Sequence, residues 1–154
     1  MIPIEQFHPI IVHFPIVFFL SLAALDTIAL FGNMPIDGRG GVANLSAGLA
    51  VLAGLAAGVA YMFGDAAVDV AMAGGITEAR VETHELLGTA TAVALALWAL
   101  ARAYIWWRRL PIDNGKRWGV VLVELAFSIL VIATAYYGGQ LVYDFGVNVA
   151  LLAS

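Results

Sequence analysis

The residue types best suited to chemistry in this chain are its three histidines, His8, His13 and His84. The 154-residue sequence contains no cysteine, which excludes disulfides, thiolate metal sites, iron–sulfur clusters and covalent attachment of haem. Neutral imidazole is therefore the transition-metal ligand that the chain offers. Two of the histidines lie in the stretch FHPIIVHFPIVFF, residues 7–19, where two prolines precede a long apolar run.

Two histidines fall at similar depth in predicted membrane helices. His13 lies near the start of the first helix and His84 near the start of the third, so both are expected close to one membrane surface. If these helices face each other, the imidazoles approach one cofactor from opposite sides, as in bis-histidine haem b. Gly88 follows His84 by one turn and would leave room for a porphyrin edge. Arg80 precedes His84 by one turn and would pair with a haem propionate.

The first histidine has a different expected role. His8 and His13 are separated by about 140° around a regular helix, so they are not expected to share one ligand. The His8-Pro9 pair is typical of a helix start, and His8 is therefore predicted to be a cap or surface group, with iron ligation the less favoured role. Pro15 cannot donate to the carbonyl of Ile11 and should kink the helix there. Small residues in the second helix equally favour close helix packing without a cofactor.

Composition and hydropathy predict an all-α integral membrane protein. Hydrophobic residues make up 62% of the chain. Charged residues make up 12%, whereas about a quarter of the residues in a soluble domain are charged. One membrane domain, 1–154, is predicted, a four-transmembrane-helix bundle with helices at about 9–31, 42–63, 78–109 and 118–140 and a tail at 141–154. Gly138-Gly139 is expected to end or bend the last helix, and Ala66–Ala73 to form a separate short helix.

The distribution of basic residues predicts the orientation. Lysine and arginine concentrate in or beside the first and third connections, at Arg39, Arg102, Arg108, Arg109, Lys116 and Arg117, and only Arg80 lies on the other side. The positive-inside rule then places both termini outward, in the periplasm of a bacterial inner membrane. No basic residue precedes the first span, so a cleaved signal peptide is not expected. The outward side is acidic and could attract a basic partner.

Three ionisable residues are expected at one depth in the inward half of the bundle. Asp26, Arg102 and Glu124 lie on three different predicted helices, each about two turns from its inward end. Buried charges in membranes are costly and tend to pair, so a cluster is predicted. It would either fix the helices together or take part in a proton path or quinone site. No ionisable residue is expected near the midplane, which disfavours a transporter with a central site.

The two ends of the chain resemble a bacterial membrane protein family known as domain of unknown function 2231. The motifs are HPxxVHFP, here His8–Pro15, and GGxLVYxxGV, here Gly138–Val147. The resemblance spans most of the chain and includes a histidine early in the third helix, here His84. It implies a four-helix layout similar to small mono-haem or di-haem cytochrome b proteins. Some relatives have a histidine near position 145, where this chain has Phe145, so a second bis-histidine haem is not expected.

Three functions remain open from the sequence. The first is an electron-transfer subunit that binds one haem b and exchanges electrons with a periplasmic cytochrome. The second is a non-haem structural or assembly subunit of a respiratory or photosynthetic membrane complex. The third is a copper or zinc site, or a small transporter, with ligands from the histidines and Glu85 or Asp144. No nucleophile–base pair, phosphate loop or nucleic-acid surface is present, so an enzyme acting alone is not expected.

Overall fold

The computed structural model describes residues 7–147, which form five helices and the turns between them. The helices are α1 (Phe7–Ile11), α2 (His13–Phe31), α3 (Gly41–Ala73), α4 (Glu78–Arg108) and α5 (Asn114–Tyr143). α1 and α2 together form the first candidate membrane span, which has 25 residues. α3, α4 and α5 are the second, third and fourth spans. All four spans are long and apolar enough to cross a membrane. The predicted all-helical membrane fold is confirmed.

The hydrogen-bond ladder of the first span is interrupted near Val12. Pro15 has no backbone N–H, so the carbonyl of Ile11 lacks its intrahelical partner, although Val12 itself keeps helical backbone angles, φ −58° and ψ −23°. The Val12 N–H still donates to the carbonyl of His8 at 3.0 Å, which closes the last turn of α1. The proline effect that the structure shows is a missing hydrogen bond within one span of 25 residues, and the kink itself stays a prediction.

Two helices extend beyond the expected bounds. α3 continues to Ala73, so Ala66–Ala73 belongs to this helix and is not a separate one. At 33 residues, α3 is about 50 Å long and exceeds the roughly 30 Å of a hydrocarbon core. α5 begins at Asn114, after the N-cap Asp113, and continues through Gly138-Gly139 to Tyr143. The expectation that these glycines end the helix was wrong, and Gly138 instead has a packing role described below.

The spans form a closed ring in which each contacts two neighbours. α3 packs against α2 and α4, and α5 packs against α4 and α2. Within residues 7–147, α2 lies diagonally opposite α4, and α3 lies opposite α5. α3 and α4 approach each other closely at Gly54, where a Cβ would lie 2.6 Å from Cβ of Ala99. Gly58, one turn later on α3, has no such neighbour in the described chain.

The two ends of the bundle differ in chemistry. The end where α2 and α4 begin is called the histidine end, because it holds His8 and His84. The opposite end is called the basic end and holds Arg39, Arg108, Arg109, Lys116 and Arg117. Between them lies an apolar core that includes Phe19, Leu22, Ala53, Leu95 and Val131. The predicted cluster of Asp26, Arg102 and Glu124 is confirmed on the basic side of this core.

Candidate functional site

His8 is held against α3 by a backbone hydrogen bond. Its Nδ1 lies 3.0 Å from the carbonyl oxygen of Ala60. A carbonyl can only accept, so Nδ1 carries the proton and donates, which leaves Nε2 with its lone pair. The ring is half-buried. A ligating histidine is commonly oriented in this way, by a hydrogen bond from the nitrogen that does not bind the metal.

His84 is held against α5 by an equivalent bond. Its Nδ1 lies 3.1 Å from the carbonyl oxygen of Thr134, so Nε2 is again the nitrogen left with a lone pair. The hydroxyl of Thr134 is 2.8 Å from the hydroxyl of Thr91 and 3.3 Å from the carbonyl of Leu87, both on α4. These contacts fix the segment of α5 whose backbone holds the His84 ring.

A glycine lies beside each histidine ring, one turn after the residue whose carbonyl accepts. Gly64 follows Ala60 by four residues, and a Cβ there would lie 2.9 Å from Cε1 of His8. Gly138 follows Thr134 by four residues, and a Cβ there would lie 2.8 Å from Cε1 of His84. Both distances are shorter than real Cβ contacts, so only glycine lets each ring reach the helix backbone.

The two rings lie next to each other at the centre of the bundle. The centroids of His8 and His84 are 6.1 Å apart, and the ring planes are inclined at 76°. Two imidazole nitrogens that bind one metal at about 2 Å each place their ring centroids about 6 Å apart. The ring separation therefore matches that of two imidazoles on opposite sides of one metal. The donors are neutral imidazoles, which suit iron, copper and zinc.

A cavity of about 470 Å³ surrounds the rings and is lined by residues of all four spans. This volume is in the range of small-molecule and cofactor sites. Gly88 lines it, and a Cβ there would meet no heavy atom of a neighbouring element within 4 Å in the described chain. Val142, Tyr143 and Val147 line it from the end of α5 and the following turn. Residues 148–154 of the predicted tail lie outside the described residues.

The structure pairs His84 with His8, where the sequence favoured His13. His8 is not the surface cap that was expected, because α1 packs against α3 and the ring reaches the backbone of Ala60. His13 is exposed, although it also lines the cavity. Arg80 lies outside the lining, and its guanidinium carbon is 4.6 Å from the centre of the Phe145 ring. Its role towards a propionate stays a prediction.

The donor set distinguishes a bare metal ion from a haem. Within residues 7–147, no three His, Cys, Asp or Glu side chains are grouped closely enough to hold a metal ion. A structural zinc needs four protein ligands, and a catalytic zinc needs three. A haem iron needs only two axial ligands, because the porphyrin supplies the rest. Two neighbouring imidazoles beside an apolar cavity fit a haem better than a bare ion.

The arrangement around the histidines occurs twice along the chain. His8 bonds to the carbonyl of Ala60, which follows it by 52 residues. His84 bonds to the carbonyl of Thr134, which follows it by 50 residues. Asp26 follows His8 by 18 residues, and Arg102 follows His84 by the same spacing. α2 with α3 and α4 with α5 are thus corresponding hairpins. This spacing is the signal that could have selected His8 over His13 from the sequence.

These features define a class, a four-helix membrane bundle with two opposed histidines at one end. The chain belongs to the family described as predicted membrane protein, domain of unknown function 2231, whose model matches residues 4–151. The resemblance seen in the two end motifs is therefore confirmed. No curated protein and no solved structure matches the chain.

Proposed function

We propose that this protein is a membrane-embedded, b-type cytochrome-like electron-transfer subunit, in which His8 and His84 bind the iron of one haem. The observation that carries the proposal is the opposed ring pair, 6.1 Å between centroids, with Nδ1 of each ring bonded to a backbone carbonyl. Haem would supply one-electron transfer, and the protein would supply axial ligands, an apolar cavity and a fixed ring orientation.

The ligand assignment is tested by three histidine variants. Wild-type protein, purified in detergent after expression with haem available, is expected to show a b-type α-band in a dithionite-reduced minus oxidised spectrum. His8→Ala and His84→Ala are expected to lose it, and His13→Ala to keep it. Added imidazole is expected to restore part of the band in the first two variants, which separates a lost ligand from a lost fold. Full haem occupancy in either of them would refute the assignment.

A flat spectrum from folded wild-type protein would refute the haem proposal itself. The alternative is then a non-haem structural or assembly subunit of a respiratory or photosynthetic complex. Co-purification of the chain with other membrane subunits, without a chromophore of its own, would support that alternative. Loss of the band in His13→Ala, with His8→Ala unaffected, would instead restore the original pairing of His13 with His84.

We further propose that the histidine end faces outward from a bacterial inner membrane. Five basic residues lie at the basic end, and the positive-inside rule assigns that end to the cytoplasm. The chain has no cysteine, so a single introduced cysteine can show which side of the membrane it faces, without labelling of native thiols in the protein. Met72→Cys, at an exposed position on α3, is expected to react with an impermeant maleimide in whole cells. Gly115→Cys is expected to react only after lysis, and the reverse result would refute this orientation.

The proposed electron partner is a basic soluble redox protein such as a periplasmic cytochrome. Six acidic side chains are exposed at or beyond the histidine end: Asp65, Asp69, Glu78, Glu82, Glu85 and Asp144. A surface of one sign raises the association rate of an oppositely charged partner, and salt reduces the effect. The rate of haem reoxidation by a basic cytochrome is therefore expected to fall as ionic strength rises. A rate independent of salt would refute this choice of partner.

A further inference from the structure

The cluster of Asp26, Arg102 and Glu124 brings two carboxyl groups and one guanidinium into the interior of the bundle. Asp26 and Glu124 are fully buried, and Arg102 is 2% exposed. One nitrogen, Nη1 of Arg102, lies 2.8 Å from Oδ2 of Asp26 and 3.4 Å from Oε1 of Glu124. If both acids were ionised, the cluster would carry one uncompensated negative charge. Such a charge is costly to bury in an apolar interior.

The hydrogen bonds around the cluster are unequal. Asp26 Oδ2 accepts from the hydroxyl of Ser46 at 2.9 Å as well as from Arg102, and Arg102 Nη2 donates to Ser46. Glu124 Oε1 accepts from Nε1 of Trp98 at 3.1 Å and has only the longer contact to Arg102. The positive charge and the shorter bonds therefore favour Asp26 as the ionised member of the pair.

Two buried oxygens in this cluster lack a donor. Asp26 Oδ1 and Glu124 Oε2 have no hydrogen-bond partner among the described residues. Both carboxyl groups contact the same nitrogen, Nη1 of Arg102, so they lie close to each other. Carboxylates only accept hydrogen bonds, so two ionised carboxylates this close repel each other. One proton on Glu124 would turn it into a donor to Asp26 and remove the excess charge.

We propose that Glu124 is a buried proton-binding site that is occupied at neutral pH, with Asp26 ionised and paired with Arg102. The groups around Glu124 come from both neighbouring spans, with Asp26 on α2 and Trp98 and Arg102 on α4. Ser46 on α3, the opposite span, reaches the cluster through Asp26 and Arg102. Arg117 lies two turns from Glu124 on α5, about 10 Å along the helix. Arg102 is the charged group that contacts Glu124 directly, and Asp26 contacts the same nitrogen of Arg102. This proposal is independent of haem binding, because it rests on the opposite half of the bundle.

The test is infrared spectroscopy of the full-length protein in nanodiscs at neutral pH. A protonated carboxylic acid has a C=O stretch above the amide I band that shifts downward in D2O. Wild-type protein is expected to show this band, and Glu124→Gln is expected to lose it while remaining folded, since an amide can also donate to Asp26. Glu85→Gln, an exposed acid on α4, is the matched control and is expected to keep it.

Two results would overturn the proposal. Wild-type protein without the band would mean that both acids are ionised. Loss of the band in Asp26→Asn but not in Glu124→Gln would place the proton on Asp26. If Glu124→Gln fails to fold, Glu124→Asp decides the question, because moving the carboxyl group by one methylene is expected to shift the frequency of the band. An unshifted band in Glu124→Asp would mean that the proton lies elsewhere.

Discussion

Gly64→Ala is the sharpest test of the role of His8. The added Cβ would lie 2.9 Å from Cε1 and 3.1 Å from Nδ1 of the ring, whereas ordinary contact begins at 3.4 Å. The ring must therefore retreat by about half an ångström, which weakens or breaks a 3.0 Å hydrogen bond from Nδ1 to the carbonyl of Ala60. Losing a partner that orients a metal ligand typically reduces metal affinity by about 10- to 100-fold.

Gly58→Ala is the matched control for this change. Gly58 lies in the same helix, is exposed, and has no neighbour within 4 Å of an added Cβ in the described chain. Both substitutions gain the same helix propensity, about 0.8–1 kcal/mol, so the difference between them isolates the contact with His8. The haem dissociation constant, measured by titrating apoprotein, is expected to rise about 10- to 100-fold in Gly64→Ala relative to Gly58→Ala. Equal dissociation constants would refute the role assigned to His8.

Three further outcomes are expected. Gly54→Ala should lower the free energy of unfolding by about 1–3 kcal/mol, because the added Cβ would lie 2.6 Å from Cβ of Ala99. A free energy of unfolding equal to that of Gly58→Ala would contradict the close approach of α3 and α4. Thr134→Val should cost about 0.5–1 kcal/mol by removing the bond to Thr91, yet leave the haem spectrum unchanged, because the backbone carbonyl still holds His84. Ferric haem should give the strongly anisotropic low-spin EPR signal of near-perpendicular imidazoles, since the planes of His8 and His84 are inclined at 76°. A rhombic signal would contradict this angle, because it is typical of imidazole planes that are nearly parallel.

The membrane spans and the ionic cluster were predictable because lipid imposes simple rules. Backbone groups in hydrocarbon must be satisfied within a helix, so long apolar runs identify the spans. Charged residues in such spans must find partners, so equal depth on different helices was enough to group Asp26, Arg102 and Glu124. Ser46 and Trp98 complete the cluster but were not foreseen, because hydroxyl and indole groups occur in many membrane helices without this role.

The extent of α3 could not be read from hydropathy. The apolar run ends near Phe63, and Asp65 and Asp69 then suggest a connection. A helix that leaves the membrane needs no further apolar residues, because water can solvate its outer faces while its backbone bonds continue. This extension matters for the site, since it holds Gly64 and gives α1 a surface to pack against.

The choice between His8 and His13 rested on depth in the membrane. By that criterion the deeper histidine, His13, was the natural ligand, but α1 packs against α3 and brings His8 to the backbone of Ala60. The order of the spans in the ring also had to be known. Spans one and three lie diagonally opposite, so their histidines meet across the centre and not along a shared helix interface.

The correspondence between the two hairpins has a consequence for how such a protein can arise. Spans one and three run in the same direction, as two copies of one helical hairpin would if related by a two-fold axis along the bundle. A true homodimer of that hairpin would place two identical ligands at one end of the axis and two identical residues at the other. Identical acids there would repel. Joining the copies in one chain lets each half mutate alone, so position 26 can be aspartate while its counterpart, position 102, is arginine.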